Sequence, residues 1–215
     1  GRLEPLPNKN IDTGMGLERL AAVMQSAPNN FETDLFQPII KELRQGLILK
    51  QGTVPERELT YAIADHLRAI VFAIYDGVMP SNEARGYVLR KLIRKSMLHL
   101  KTLGKNQPYL FKLVPVLAQT MKSFYPDLSA RQENIAEIIL VEEKNFHNTL
   151  NSGNTLFQEK FSGFARNQNP DQVGKIAFAL YDTYGIPLEL TINWLEKEGI
   201  KFSQGVFNKE LQEQK

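Results

Sequence analysis

The chain has 215 residues, 42% hydrophobic and 23% charged, enough to bury a core as one or two domains of ordinary globular composition. It contains no cysteine, which excludes disulfides, thiolate metal ligands and a thiol nucleophile. Its most apolar run, Ala69 to Tyr75, is too short to cross a bilayer, and no signal-peptide pattern opens the chain, so the reading is a cytoplasmic protein with no membrane partner.

Residues Gly1 to Asn10 read as extended, with Pro5 and Pro7 opposing a helix, and Ile11 to Gln25 as a short strand or turn passing through Gly14 and Gly16 into an amphipathic helix. The two glycines would let a ligand approach the backbone, and Arg19 one turn on offers a planar cation; a tight turn before a helix is the plainer alternative. Thr33 to Leu43 reads as a helix with Pro38 in its first turn or at a kink, and Gly46 to Pro55 as a connector. Glu56 to Asp76 is apolar nearly all round, which predicts a central buried helix carrying a polar trio, Asp65, His66 and Arg68. His66 lacks partners at metal-ligand spacing and reads as a hydrogen-bonded core residue.

The stretch from Pro80 to His99 is a basic helix, for which Ser81 is the expected N-cap. At about 100° per residue, Val88, Leu89, Leu92, Ile93, Met97 and Leu100 fall on one half, while Arg90, Lys91, Arg94 and Lys95 share an opposite arc. Arg85 falls on the apolar side, where it would anchor a buried acceptor, and Gly86 permits close packing. Between Ala84 and Pro126 there are nine Lys and Arg and no acidic residue; without those nine, 17 of the 26 basic residues remain against 24 acidic ones. The net charge of +2 therefore conceals a polarised molecule. Such a stripe suits a phosphate backbone, or is simply a solvated face. Asn82, at the start of this helix, can donate and accept at once, as base-edge readout requires, or can cap locally.

Tyr109 to Phe124 reads as an apolar helix bent at Pro115. Ser129 to Gln132 forms a capping box that launches a long helix to about Gly163, with Gly153 a weak point. Asn167 to Pro170 is a linker, and Asp171 to Tyr184 a helix closed by Gly185, with Asp182 near the end where the dipole disfavours a carboxylate. A further helix runs from Pro187 through Glu198 to Gly199. Ile200 to Ser203 reads as a short strand and Phe207 to Lys215 as a frayed helix.

Four ordered segments resemble one family. Asp12-Thr-Gly-Met-Gly-Leu-Glu-Arg19 is similar to the third signature motif of class II aminoacyl-tRNA synthetases, in the version typical of the alanyl branch; Asp65-His-Leu-Arg68, Asp76 to Arg90 and Leu180 to Pro187 continue the likeness. The resemblance implies a mainly α chain: a remnant of the class II catalytic antiparallel β fold over residues 1–25, then a helical tRNA-recognition bundle over 26–215. It implies that Asp12 and Gly14 serve alanine, that Gly14, Gly16 and Arg19 serve ATP, and that Asn82 and Asp182 read the G·U pair of the tRNA(Ala) acceptor stem. Arg90, Lys91, Arg94 and Lys95 would hold the tRNA backbone.

In the family, alanine and ATP form an adenylate, and the alanyl group then passes to tRNA. The first two class II motifs and the editing domain lie outside this sequence, so the expectation is an excised fragment or truncated paralogue that binds tRNA without adenylating. ATP with Mg2+ and the editing-domain zinc belong to the parent enzyme, with no metal expected in this piece. Two other readings stand beside it: a helical protein-interaction module, and a complete small enzyme built on Asp65, His66 and Arg68.

Overall fold

The computed structural model describes residues 10, 13–45, 54–161 and 169–213; Asp12 and residues 1–9 and 11 of the expected 1–25 catalytic remnant, with residues 46–53 of the expected 46–55 connector, lie outside them, while residues 13–25 of that remnant are described and hold no strand. Among the described residues the chain is helical: α1 (Leu17–Met24), α2 (Gln37–Gln45), α3 (Val54–Tyr75), α4 (Ala84–Thr102), α5 (Val114–Met121), α6 (Pro126–Phe161), α7 (Pro170–Tyr184), α8 (Leu188–Glu198) and α9 (Gln204–Glu213). No strand occurs among them, and no helix is long and apolar enough to cross a membrane. The mainly α expectation holds.

The chain divides into two compact units, residues 1–140 and 141–215, with the division falling inside α6. The expected boundary at residue 25 lies within the first unit.

In the first unit α3 is central, packing most extensively on α4 and also on α2 and α5. Ile63, Leu67, Ile70 and Val71 of α3 meet Ile39, Ile40 and Leu43 of α2, Leu89 and Ile93 of α4, and Val114 and Leu117 of α5, all buried. Yet α3 is not buried all round, since Arg57, Glu58 and Asp65 are exposed. Pro38 occupies the first turn of α2, where a missing N–H costs nothing. Pro115 likewise starts α5, after a 3-10 turn at Leu110–Leu113, and does not bend a longer helix. The long helix begins at Pro126, not at the Ser129 capping box. A proline at the first position and Asp127 in the first turn already favour a helix start there.

Within the polar trio of α3, His66 and Arg68 turn to different neighbours. The Ser96 hydroxyl donates to the Leu92 carbonyl at 2.9 Å, so at 3.1 Å it accepts from Nδ1–H of His66, which fixes the imidazole tautomer. The His66 and His99 rings lie nearly parallel with centroids 5.9 Å apart. Arg68 instead turns to α1: its Nη2 donates to Glu18 Oε1 at 3.0 Å and its guanidinium lies 4.5 Å from the Phe36 ring centroid. His66 and Arg68 are thus engaged with different partners, Ser96 and Glu18, and Asp65 is exposed, so His66 and Arg68 are not turned to one common site.

Both histidines are held below the ordinary value of 6.5, His66 by burial and then by Lys95, against an opposing pull from Asp65. For His99 the causes are burial, then His66, then Lys95. The unfolded chain therefore binds more protons than the folded one as pH falls through 6.5 towards the lowered folded values, and stability falls with it. A thermal-melting series is expected to show the midpoint dropping below pH 6.5, and His99→Gln to flatten that drop; an unchanged slope would sink this assignment.

In the second unit, Phe157, Phe161, Val173, Leu180, Ile186 and Leu195 form the core. Gly153 does not interrupt α6; a Cβ there would stand 2.7 Å from Ile186 Cδ1, so the glycine admits a close approach. Gly185 (φ 66°) and Gly199 (φ 68°) close α7 and α8 in the left-handed conformation that glycine favours. Residues 200–203 are not a strand. Ser203 donates one bond to the Pro170 carbonyl at 3.2 Å, and the segment delivers Phe207, 3% exposed, into the packing of α9 on α7.

Candidate nucleic-acid interface

The inward arc of α4 consists of Gly86, Leu89, Ile93, Ser96, Met97 and Leu100, all buried. Lys91 and Lys95 are exposed on the outward arc, whereas Arg90 and Arg94 are half-buried along its flank. Val88, expected inside, is 56% exposed because it stands about 120° from the centre of the buried arc. Arg85 is exposed too and anchors nothing buried. Residues 79–81 lie against the first turn of α4 at Gly86, and Arg85 beside it is exposed.

That segment shapes the start of α4. Glu83, with extended backbone, is the N-cap, and Ser81 is not. The Ser81 hydroxyl donates to the Glu83 carbonyl at 3.0 Å, and Ser81 N–H donates to the Gly86 carbonyl at 3.1 Å, so the chain folds back over the first turn. The turn is sharp enough to place Ala84 at φ 46°. Gly86 makes it feasible: a Cβ there would lie 2.1 Å from Ser81 Oγ and 2.5 Å from the Met79 carbonyl oxygen. The close packing expected of this glycine is therefore with a loop and not with a helix.

The fold-back sets Asn82 beside Arg90, whose Nη1 donates to Asn82 Oδ1. Sequence reasoning placed Arg90 with the backbone contacts and did not foresee this bond. The two residues stand eight apart and meet only because the loop reverses.

The other predicted residues are distributed. Gly14 and Gly16 are exposed; a Cβ on Gly14 would meet nothing within 4 Å, and one on Gly16 only Glu18 Oε2 at 3.9 Å. Arg19 is exposed on α1. Nearby, Met15 (68%), Leu17 (59%), Val23 (71%) and Met24 (77%) present an open apolar surface. Asp182 is exposed in the last turn of α7, in the second unit. Among the described residues no group of three or more His, Asp or Glu is placed to hold a metal ion.

Over residues 1–215 the sequence matches the family described as tRNA synthetases class II (A). It is 46% identical to the alanine–tRNA ligase of Enterococcus faecalis, over 99% of this chain and 24% of that protein. The Pediococcus pentosaceus ligase is 48% identical over 100% of the chain and 24% of its own length. For the Listeria innocua ligase the identity is 44%, over 100% and 25% respectively. The chain thus spans about a quarter of the length of these relatives.

Proposed function

We propose, from the premise that this chain belongs to the class II tRNA synthetases, that it is the acceptor-stem recognition part of an alanine–tRNA ligase. The observation that carries the reading is Asn82, fixed at the start of a helix whose outward face is cationic. Lys91 and Lys95, with Arg94 on the flank, supply sequence-independent attraction to phosphates, and Asn82 supplies a base-edge contact. Asp182 is the second base-reading group, its carboxylate suited to the exocyclic amino donor of guanine. An amide and a carboxylate together can distinguish a G·U wobble pair, whose exposed edges differ from those of a Watson–Crick pair.

At the other end, Asp12 and Gly14 serve the alanine substrate, and Gly14, Gly16 and Arg19 the ATP. The open space over both glycines and the exposed Arg19 fit a nucleotide lying close to the backbone. Bound ATP with Mg2+ supplies the activated phosphate of the parent reaction; this piece contributes binding only, and alone it binds tRNA without adenylating.

The test is binding of the chain to an acceptor-stem RNA hairpin carrying G·U, against the same hairpin with G·C, across a salt series. Tighter, salt-sensitive binding to G·U is expected. Asn82→Ala and Asp182→Ala should each cost roughly 1–3 kcal/mol of that preference. Arg94→Ala should weaken both hairpins alike and shallow the salt dependence. The open apolar surface around α1 favours a second reading, a helical protein-interaction module. Failure to bind either hairpin at low salt would move the conclusion there.

A further inference from the structure

We infer that Arg90 is a positioning residue for base recognition and not a backbone contact: it holds the Asn82 side chain so that its amide N–H2 points away from the protein as the reading group. The inference rests on the base-reading role proposed for Asn82.

A guanidinium has donors and no acceptor, so the atom of Asn82 that meets Arg90 Nη1 must be the carbonyl oxygen. This settles which way the amide faces. With Oδ1 held by Arg90, Nδ2 is directed elsewhere, and Asn82 is exposed. An unrestrained exposed asparagine would present oxygen and nitrogen interchangeably and would distinguish an acceptor-bearing base edge poorly from a donor-bearing one. A restrained one presents two donors to an acceptor such as uracil O4 or guanine O6. The planar guanidinium is suited to this task because its fork directs a bond in a set plane, which a lysine ammonium does not.

The geometry behind the restraint is built into the fold. Gly86 lets residues 79–81 lie on the first turn of α4, the Ser81 N–H to Gly86 carbonyl bond pins them, and Asn82 follows at once. Arg90 is half-buried along the helix, whereas Lys91 and Lys95 are exposed. The four cations assigned to one stripe thus divide by role: the exposed lysines are available to phosphates, and Arg90 is committed to the loop.

Arg90→Met in the same chain, with the same two hairpins and salt series, separates the roles. A positioning residue should lower the G·U over G·C preference by about tenfold, leaving G·C affinity and the salt slope unchanged. Arg90→Met should also add nothing to Asn82→Ala. Arg90→Lys keeps the charge and should still lose most of the preference; it carries the test if Arg90→Met does not fold. Equal weakening of both hairpins by Arg90→Met, with a slope shallower by about one, would show a phosphate contact and overturn the inference. Full preference retained in Arg90→Lys would overturn it as well. A wild-type chain that binds both hairpins equally, or neither, would instead overturn the base-reading role of Asn82 and this inference with it.

Discussion

Gly86→Ala is expected to destabilise the first unit by about 1–3 kcal/mol and, on the role proposed for Asn82, to lower the G·U preference about as much as Asn82→Ala does, while leaving salt-dependent RNA binding in place. The added methyl would stand 2.1 Å from Ser81 Oγ, a hydroxyl that can rotate away, but also 2.5 Å from the Met79 carbonyl oxygen and 2.9 Å from Ser81 Cβ. Main-chain atoms and a Cβ cannot yield without moving the loop. Once residues 79–81 lift, the Ser81 N–H to Gly86 carbonyl bond is lost, and Asn82 leaves Arg90. Lys91 and Lys95 sit one and two turns further along α4, on its exposed arc, and are not displaced. Urea unfolding and hairpin titration of the same variant check both halves. Unchanged stability would mean that the loop does not rest on Gly86. Lost stability with preference intact would mean that Asn82 does not depend on the loop.

Phe157→Ala is expected to cost about 3–5 kcal/mol and to act on the second unit alone. Phe157 is 1% exposed, with its ring centroid 4.6 Å from that of Phe161 and 5.2 Å from that of Trp194. The buried cluster of this unit is small, so one large side chain is a substantial part of its cohesion. Trp194 is the single tryptophan of the chain and belongs to this unit, so its fluorescence reports the unit without interference. The tryptophan transition should move to much lower urea, ahead of the loss of helicity contributed by the first unit. Asp182 is carried on α7, so on the role proposed for it the variant should also lose that residue's share of G·U preference while α4 keeps its attraction for RNA. An unshifted tryptophan transition would refute the packing role of Phe157.

Much of this was legible in the sequence because helices repeat. The period of about 3.6 residues separated Leu89, Ile93, Met97 and Leu100 from Lys91 and Lys95. Glycines at 185 and 199 marked the ends of α7 and α8, since only glycine adopts the left-handed cap without cost. The family likeness also rested on sequence alone, through local motifs, and the match over residues 1–215 agrees with it. All of these signals lie within a few residues of one another, where the physics is that of the local backbone.

Tertiary structure decided what depends on where a loop goes. Ser81 has the chemistry of an N-cap, but the reversal after Pro80 hands that position to Glu83 and leaves Ser81 bridging the loop. Arg85 has the phase of a buried residue, yet it is exposed. Residues 200–203 have the composition of a strand but no partner strand among the described residues, so they serve as a connector that brings Phe207 to α7. Of the polar trio of α3, adjacent in sequence, His66 turns to Ser96 and Arg68 to Glu18, while Asp65 is exposed. Arg90 and Asn82 meet across eight residues by the same loop reversal. Helical period is a property of consecutive residues and can be read from them; a contact made by a folded-back loop depends on a path with no period, and only the packed chain determines it.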